Sequence, residues 1–158
     1  MDLVALCIFT RKAGIDDLDA LYKIELECFG REAFAKGLFA YFLTSSDFVN
    51  LVAEVGEEIA GFVIGSVQHR NSRATGHVLS LDVSGGYRRK GIGLALLCEL
   101  EKILAEDGVE ACFLEARADN AAALRLYQKQ GFKVVETLED YYGRGVHGLR
   151  LKKDLRHR

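Results

Sequence analysis

The sequence predicts an α/β fold of three layers, α/β/α, built around one central mixed and mostly antiparallel sheet. Two helical patterns come early, an apolar hairpin pattern follows, and the second half of the chain alternates strand and helix. The chain has 158 residues, of which 49% are hydrophobic, which matches the size and core of one domain. We therefore expect residues 1–158 to form a single domain.

The first half of the chain shows one helical face, a second apolar helix and one hairpin. Leu18, Leu21, Tyr22 and Cys28 fall near one face of the first helix, as the 3.6-residue period requires. Gly56-Glu57-Glu58 separates two β-rich runs and so predicts a hairpin turn. The predicted elements are a strand at residues 4–11, a helix at 16–29, a helix carrying Phe34, Leu38, Phe39 and Phe42, and strands at 48–55 and 59–68.

The second half begins with an alternating strand and a glycine turn. A strong amphipathic helix starts near Ile92, and Gly108 ends it. Asn120 is placed to cap a further helix that ends at Gly131. The predicted strands of this half are residues 77–83, 111–116, 132–137 and 146–152.

Composition excludes several classes of protein. The net charge of −2 shows no basic bias, so no direct nucleic-acid partner is expected. No run of eighteen apolar residues and no signal-peptide pattern occur, so we expect no membrane partner and a cytoplasmic location. None of the four cysteines forms a C-x-x-C pair or lies at ligand spacing from a histidine, which predicts free thiols in a reducing compartment and no metal.

A phosphate-binding turn is the most informative segment of the chain. Residues 84–93 join a strand to a helix through glycines and the basic run Arg88-Arg89-Lys90. The start of a helix presents unpaired main-chain N–H groups, which suit an anion, and a glycine lets a phosphate approach the main chain closely. Neither the P-loop nor the dinucleotide-binding fingerprint fits, because each lacks a required residue here. An ordinary turn with basic side chains is the alternative.

Two motifs resemble the GNAT (GCN5-related N-acetyltransferase) superfamily. Arg88-x-x-Gly91-x-Gly93 resembles its pyrophosphate motif, Q/R-x-x-G-x-G/A. Downstream, the chain carries Asn120-x-x-Ala123-x-x-Leu126-Tyr127-x-x-x-Gly131-Phe132 and then Tyr141-Tyr142. The resemblance is closest to protein N-terminal and ribosomal-protein-alanine acetyltransferases, and it covers residues 77–143 well but the first 70 residues poorly.

This resemblance implies the GNAT fold and acetyl-coenzyme A as co-substrate. It implies that main-chain groups of Leu81 and Val83, on either side of Asp82, pair with the pantetheine amides. The pyrophosphate would then lie on the turn, and Asn120 would contact the cofactor arm, although a helix cap is its alternative role. The implied cofactor-binding residues are Leu81, Asp82, Val83, Arg88, Arg89, Lys90, Gly91, Ile92, Gly93, Asn120 and Tyr127.

The resemblance also assigns catalytic roles. Tyr127 would be the general acid that protonates the departing thiolate, with a core tyrosine as the alternative. Glu115 would be the base, because a carboxylate in the middle of a strand is unexpected unless it has a partner or a role. A pair between Glu115 and Arg117 is the alternative. His77 is a second candidate base, although an ordinary surface histidine would also fit its position.

The acceptor side would be formed by Phe29, His77, Tyr141 and Tyr142. Related enzymes carry Pro or Trp after the Cys-Phe-like pair and Gly-Glu-Asp-Ala after the tyrosines, whereas this chain has Gly30-Arg31 and Gly145-Val146-His147-Gly148. The expected reaction is acetylation of a protein N-terminus, with a ribosomal protein as one candidate, by direct attack in a ternary complex. A GNAT enzyme for small amines or lysine side chains, or a non-catalytic acyl-coenzyme A-binding module, are the alternatives.

Overall fold

The computed structural model describes residues 7–156 and has the predicted α/β architecture. The four α-helices of this part of the chain are α1 (Leu18–Phe29), α2 (Lys36–Thr44), α3 (Ile92–Glu106) and α4 (Ala121–Lys129). Its strands are β1 (Ile8–Lys12), β2 (Phe48–Val55), β3 (Glu58–Arg70), β4 (Arg73–Val83), β5 (Ala111–Arg117), β6 (Lys133–Leu138) and β7 (Gly148–Asp154). Short 3₁₀ turns occupy Ile15–Asp17, Gly30–Glu32 and Gly85–Tyr87.

The strands form one sheet in the order β1-β2-β3-β4-β5-β7-β6. Strands β4 and β5 pair in parallel, with His77 opposite Phe113. The pairings β1–β2, β2–β3, β5–β7 and β6–β7 are antiparallel. A mixed, mostly antiparallel sheet was predicted, and this prediction is confirmed.

The chain divides into two compact units. The first unit comprises residues up to 66 together with Leu79–Lys102, and the second comprises Val67–Val78 together with the residues from Ile103 onward. Strands β3 and β4 and helix α3 contribute residues to both units.

In the first unit, helices cover both faces of β3. One face of the strand packs into an apolar core in which Phe39 meets Phe62 edge-on, with ring centroids 5.6 Å apart. This core consists of Leu21, Ile24, Phe39, Phe42, Val52, Phe62 and Ile64. The other face carries glycines: a Cβ atom at Gly61 would lie 3.3 Å from a methyl carbon of Ile92, so α3 packs directly on the strand. The sheet is therefore the middle of three layers here.

In the second unit, β5 separates a core face from an exposed face. Cys112, Leu114 and Ala116 are buried, while the residues between them are only half-buried. Gly76 lies close to Leu104, where a Cβ atom would come within 2.9 Å of a methyl carbon. Period-two alternation therefore places Glu115 on the face of β5 away from the core.

Three boundaries differ from the sequence prediction. Strand β4 begins at Arg73, four residues before the predicted start, because the segment before His77 already pairs with β5. Phe34 precedes α2 rather than lying in it, and its main-chain N–H donates to Glu25. Strand β7 begins at Gly148, because the N–H of Tyr142 bonds to the carbonyl of Val146 and holds that residue in a turn.

Three further findings bear on the sequence expectations. The first three residues of the strand predicted at 4–11 lie outside the described part of the chain. None of the four cysteines, which all lie within residues 7–156, forms a disulfide. Among residues 7–156, no helix is both long and apolar enough to cross a membrane.

Gly61 and Gly37 provide a matched test of this packing. We predict that Gly61→Ala destabilises the protein by roughly 1–3 kcal/mol, because its Cβ atom would lie 2.7 Å from the carbonyl oxygen of Asp82. Gly37→Ala, in an exposed turn of α2 with no atom within 4 Å, should stabilise by up to about 1 kcal/mol. Urea denaturation of both variants measures the difference, and equal effects would contradict the close approach.

Candidate active site

The turn between β4 and α3 has the backbone of an anion-binding loop. Arg89 and Gly91 both adopt left-handed conformations, with φ of +62° and +83°. Such a φ is uncommon for a residue with a side chain, and strain of this kind concentrates at functional sites. A Cβ atom at Gly91 would meet nothing within 4 Å, so the space beside the main chain is open. Residues 88–91 are exposed and include three basic side chains.

The last turn of α1 is fastened to this loop. The Glu27 carboxylate accepts hydrogen bonds from the N–H of Gly85 and from Ser84 Oγ. The Gly85 hydrogen bond, more than any other contact, lowers the pKa of Glu27. The Arg88 guanidinium donates to the carbonyl of Val83 at 3.1 Å and to Cys28 Sγ at 3.3 Å. Sequence reasoning missed Glu27, because an exposed glutamate on a helix carries no local signal of a distant partner.

Leu81, Asp82 and Val83 lie at the end of β4, as predicted. Leu81 and Val83 are half-buried, whereas Asp82 is only 2% exposed. Asp82 Oδ1 accepts a hydrogen bond of 2.7 Å from Ser80 Oγ. Burial, followed by the hydrogen bond with Glu25, raises the pKa of Asp82 to about 9. Since this side chain is turned into the protein, its predicted part in cofactor binding falls to its main chain.

In the second unit, a row of alternating charge crosses four strands. His77 Nε2 lies 2.6 Å from Glu115 Oε1, and Glu115 Oε2 accepts from Arg150 Nε at 3.1 Å. Arg150 Nη1 then donates to Glu136 at 2.5 Å. The register explains the row: Glu115 and Glu136 are both direct cross-strand partners of Arg150, and His77 is opposite Phe113, two residues from Glu115 on the same face of β5.

The environment keeps Glu115 ionised. Its side chain is only 10% exposed, and burial alone would raise its pKa. The hydrogen bonds and charges of His77 and Arg150 outweigh burial, so the pKa of Glu115 lies below its usual value. Glu115 is paired with His77 and Arg150, whereas Arg117 forms a fork with Asp119 at 2.9 and 3.0 Å. The His77 side chain is 31% exposed and bonded to Glu115, and its part in the chemistry stays a prediction.

The two tyrosines lie in a closed loop between β6 and β7. Their rings meet edge-on with centroids 4.9 Å apart, and Gly148 fits under them, where a Cβ atom would lie 3.0 Å from the ring of Tyr142. Asp140 closes the loop: its carboxylate accepts from Gly145 N at 2.7 Å, and its own N–H donates to His147 Nδ1 at 3.0 Å. Gly145 and His147, which belong to the segment that differs from the related enzymes, therefore help to hold this loop closed.

Tyr142 is electrostatically linked to the charged row. Burial raises its pKa to about 12, and the negative charge of Glu115 contributes to the rise. Tyr142 is therefore a neutral hydroxyl at physiological pH. The structure thus brings His77 and Glu115 into contact, and the charge of Glu115 acts on Tyr142.

The remaining predicted residues are placed as follows. Asn120 caps α4, its Oδ1 accepting from Ala123 N at 3.1 Å, which confirms its role as a helix cap. The half-buried ring of Tyr127 packs edge-on against Phe132, with centroids 6.1 Å apart. Both belong to the second unit, whereas Phe29, which is 48% exposed at the end of α1, belongs to the first. Cofactor contacts by Asn120 and Tyr127 stay predictions.

Comparison with known proteins identifies relatives of this arrangement. A model of the acetyltransferase (GNAT) family matches residues 18–132. An N-alpha-acetyltransferase from Sulfurisphaera tokodaii is 34% identical over 85% of this chain and 86% of its own length. The crystal structure of the ribosomal-protein-S18-alanine N-acetyltransferase from Escherichia coli is similar with a TM-score of 0.82, at 26% identity and covering 96% of each chain.

A relative solved with coenzyme A also superposes on the chain. It is the PaiA N-acetyltransferase from Thermoplasma acidophilum, with a TM-score of 0.76 and 26% identity over 94% of this chain and 99% of that one.

The ionised state of Glu115 predicts a pH-dependent contribution to stability. A carboxyl group whose pKa is lowered on folding stabilises the protein above its unfolded pKa, and this contribution is lost as the pH falls through the folded pKa. We therefore expect Glu115→Gln to reduce the free energy of unfolding at pH 6–7, and the difference from wild type to shrink as the pH falls below about 4.5.

Denaturant titrations at several pH values measure this dependence. Glu139→Gln, at an exposed position of the loop after β6, is the control and should show no pH-dependent difference. A Glu115→Gln penalty that is constant from pH 7 to pH 3 would contradict the ionised state of Glu115.

Proposed function

This chain belongs to the acetyltransferase (GNAT) family, and from that premise we propose that it transfers the acetyl group of acetyl-coenzyme A to the N-terminal α-amino group of a protein. The relative from Sulfurisphaera tokodaii is named for this activity, and the similar enzyme from Escherichia coli acts on a ribosomal protein. A ribosomal protein is accordingly one candidate acceptor. Cysteines that form no disulfide among residues 7–156 suit the reducing cytoplasm, where we place the protein.

The loop between β4 and α3 is suited to the pyrophosphate of the co-substrate. The open space at Gly91 leaves room for an anion, and the start of the fifteen-residue α3 offers unpaired N–H groups. Arg88, Arg89 and Lys90 would add positive charge, and Ile92 and Gly93 open the helix. The main chain of Leu81 and Val83 would bind the pantetheine arm. Acetyl-coenzyme A supplies an activated thioester.

The His77–Glu115 hydrogen bond is the observation that carries the choice of acceptor. A chain-terminal ammonium titrates near ~7.8 and a lysine near ~10.4. Near pH 7.5 a terminal amine is therefore neutral in a large fraction, whereas a lysine is almost fully protonated. A single hydrogen-bonded histidine is thus a sufficient base for a terminal amine and a poor one for lysine. This argument favours the N-terminal acceptor over the lysine alternative.

We assign the proton transfer to His77 and give Glu115 a supporting role. A carboxylate with a lowered pKa is a weak proton acceptor, so Glu115 acts mainly by orienting the imidazole and stabilising its protonated form. Arg150 in turn holds Glu115. The neutral amine attacks the thioester carbonyl carbon, and the new carbon–nitrogen bond forms as its nitrogen gives one proton to His77. The carbon–sulfur bond then breaks, and the Tyr127 hydroxyl donates its proton to the departing thiolate. Solvent then takes the proton from His77 and returns one to Tyr127.

The Tyr141-Tyr142 loop of the second unit would bind the first residues of the acceptor, and Phe29 stays a predicted acceptor-binding residue of the first unit. Phe29 and Tyr141 are both about half exposed and present apolar surface. Small-molecule amines would leave such surfaces without a partner. A non-catalytic acyl-coenzyme A-binding module would need neither a hydrogen-bonded histidine–glutamate pair nor a tyrosine acid.

The first experiment tests the acceptor and the base together. Peptides with a free N-terminus should be acetylated at least about 100-fold faster at pH 7.5 than the same peptides blocked at the N-terminus and carrying an internal lysine, because a far larger fraction of a terminal amine is neutral. His77→Gln should slow the reaction most at low pH, and the loss should shrink above pH ~8 as free amine becomes abundant. Initial rates from pH 6 to 9.5 measure both effects.

Glu115→Gln provides the comparison for the base. It should slow the reaction less than His77→Gln if Glu115 only orients the imidazole. Faster acetylation of blocked peptides or of small amines would reject the N-terminal acceptor, and a normal pH–rate profile in His77→Gln would reject His77 as the base.

The second experiment concerns the proposed acid. Tyr127→Phe keeps the ring that packs on Phe132 and removes only the hydroxyl. We predict a kcat at least about tenfold lower, since positioned acid catalysis contributes roughly 10²–10⁴-fold. The rise of melting temperature with acetyl-coenzyme A, which reports binding, should stay the same. A normal kcat at saturating substrates would reduce Tyr127 to a packing residue.

A further inference from the structure

Two buried carboxyl groups meet between α1 and β4, and the proposed reaction uses neither. Glu25 and Asp82 are each only 2% exposed. Ser80 Oγ lies between them, 2.7 Å from Asp82 Oδ1 and 3.4 Å from Glu25 Oε1. Acidic residues are almost never fully buried unless they are paired, so this contact needs an explanation.

Among residues 7–156, the structure shows no salt bridge between a cation and either carboxyl group. Arg88 is close enough for its charge to act on Asp82, but its guanidinium donates to Val83 and Cys28. The Cys28 thiol also faces this region and has a pKa raised mainly by burial, while Glu27 is bound to the loop at Gly85. Asp82 Oδ2 is buried without a hydrogen-bond partner among the described residues.

One proton retained by Glu25 or Asp82 removes the repulsion between the two carboxyl groups. Two adjacent carboxylates cannot both ionise cheaply in a buried site, so one of them retains its proton. The neutral partner can then donate a hydrogen bond to the ionised one. The pKa of Asp82, raised to about 9, agrees with a proton that stays in place at physiological pH.

The pair links the two substrate-binding parts of the first unit. Glu25 Oε2 accepts the N–H of Phe34 at 2.9 Å, and Phe34 lies in the segment of residues 30–35 that follows Phe29 and joins α1 to α2. Asp82 lies between Leu81 and Val83, whose main chain is assigned to the pantetheine arm. The acceptor-side segment is therefore tied through two side chains to the cofactor-side strand.

We propose that Glu25 and Asp82 form a positioning pair in which one shared proton holds residues 30–35 against the end of β4 for acetyl transfer. This inference rests on the proposed function for its link to catalysis. When the proton is lost to solvent at alkaline pH, the two carboxylates repel each other and the segment loosens. Acceptor binding then weakens while the reacting groups of the second unit stay unchanged.

The sign of the stability effect follows from the direction of the shift. A group whose pKa is raised on folding stabilises the protein fully below its unfolded pKa, and the stability is lost as the pH rises through the folded pKa. The window here runs from about pH 4, the ordinary aspartate value, to about pH 9. Asp82→Asn keeps the shape of the side chain and supplies a permanent N–H donor that does not titrate.

The test compares the pH dependence of wild type, Asp82→Asn and the control Glu57→Gln, which removes one exposed acid from the hairpin turn between β2 and β3. Between pH 7 and 10 the melting temperature of wild type and of the control should fall more steeply than that of Asp82→Asn. Over the same range the KM for a free-ended peptide should rise severalfold in wild type relative to Asp82→Asn, with kcat affected less. Every protein is assayed with the same peptide, so ionisation of the peptide amine changes each KM equally and cancels when the KM values are compared.

A second variant reports on the segment directly. At pH 7.5, Glu25→Ala should increase hydrogen exchange of the Phe34 amide and its neighbours, whereas Glu57→Gln should not. Parallel melting profiles of wild type and Asp82→Asn, or unchanged exchange at residues 30–35 in Glu25→Ala, would overturn the pair. Melting and exchange do not depend on activity, so absence of acetyl transfer in every protein would reject the proposed function while these two measurements still decide the pair.

Discussion

The charge of Glu115 is the constraint on which the candidate active site depends. A carboxylate whose side chain is only 10% exposed is costly unless partners compensate it, and here Arg150 and the hydrogen bond with His77 do so from the two strands that flank β5. The parallel pairing of β4 with β5 fixes this geometry, since a register change of one residue would move His77 to the other face. The register of the sheet therefore places His77 where it can accept a proton, and Glu115 holds the imidazole of His77 in position.

The sequence predicted the elements and the local motifs well, because their signals are local. Asn120 lies directly before an apolar helix and caps it, and the glycines at 91 and 131 adopt the positive φ expected after a strand and at a helix end. The start of β4 was missed because Arg73, Thr75 and Gly76 have no strand pattern of their own. Thr75 and Gly76 pair with β5, and β4 lies between β3 and β5 in the sheet. Tertiary pairing of this kind overrides propensity.

The partners of the site residues were beyond the reach of sequence reasoning. Glu115 could be identified as unusual, but Arg150 is 35 residues away and Arg117 was the nearer candidate. Glu25 and Glu27 look like ordinary helix-surface acids, yet one is buried against β4 and the other is bonded to the loop before α3. The contacts of Glu25 with Ser80 and of Glu27 with Ser84 join positions 55 or more residues apart, and only the folded chain brings these positions together.

The protein uses the same kind of side chain in two opposite states. Glu115 lies between Arg150 and His77 and has a lowered pKa, whereas Asp82 lies against another acid in a buried environment that raises its pKa. Environments that separate the pKa values of similar groups in this way assign them different roles. Glu115 therefore stays ionised below the ordinary glutamate pKa, and the pKa of Asp82 is raised to about 9. A chain-terminal amine, with a pKa near ~7.8, becomes neutral within this range, and a lysine, near ~10.4, does so above it. Both acid sites thus keep these states at the pH at which a terminal amine becomes reactive.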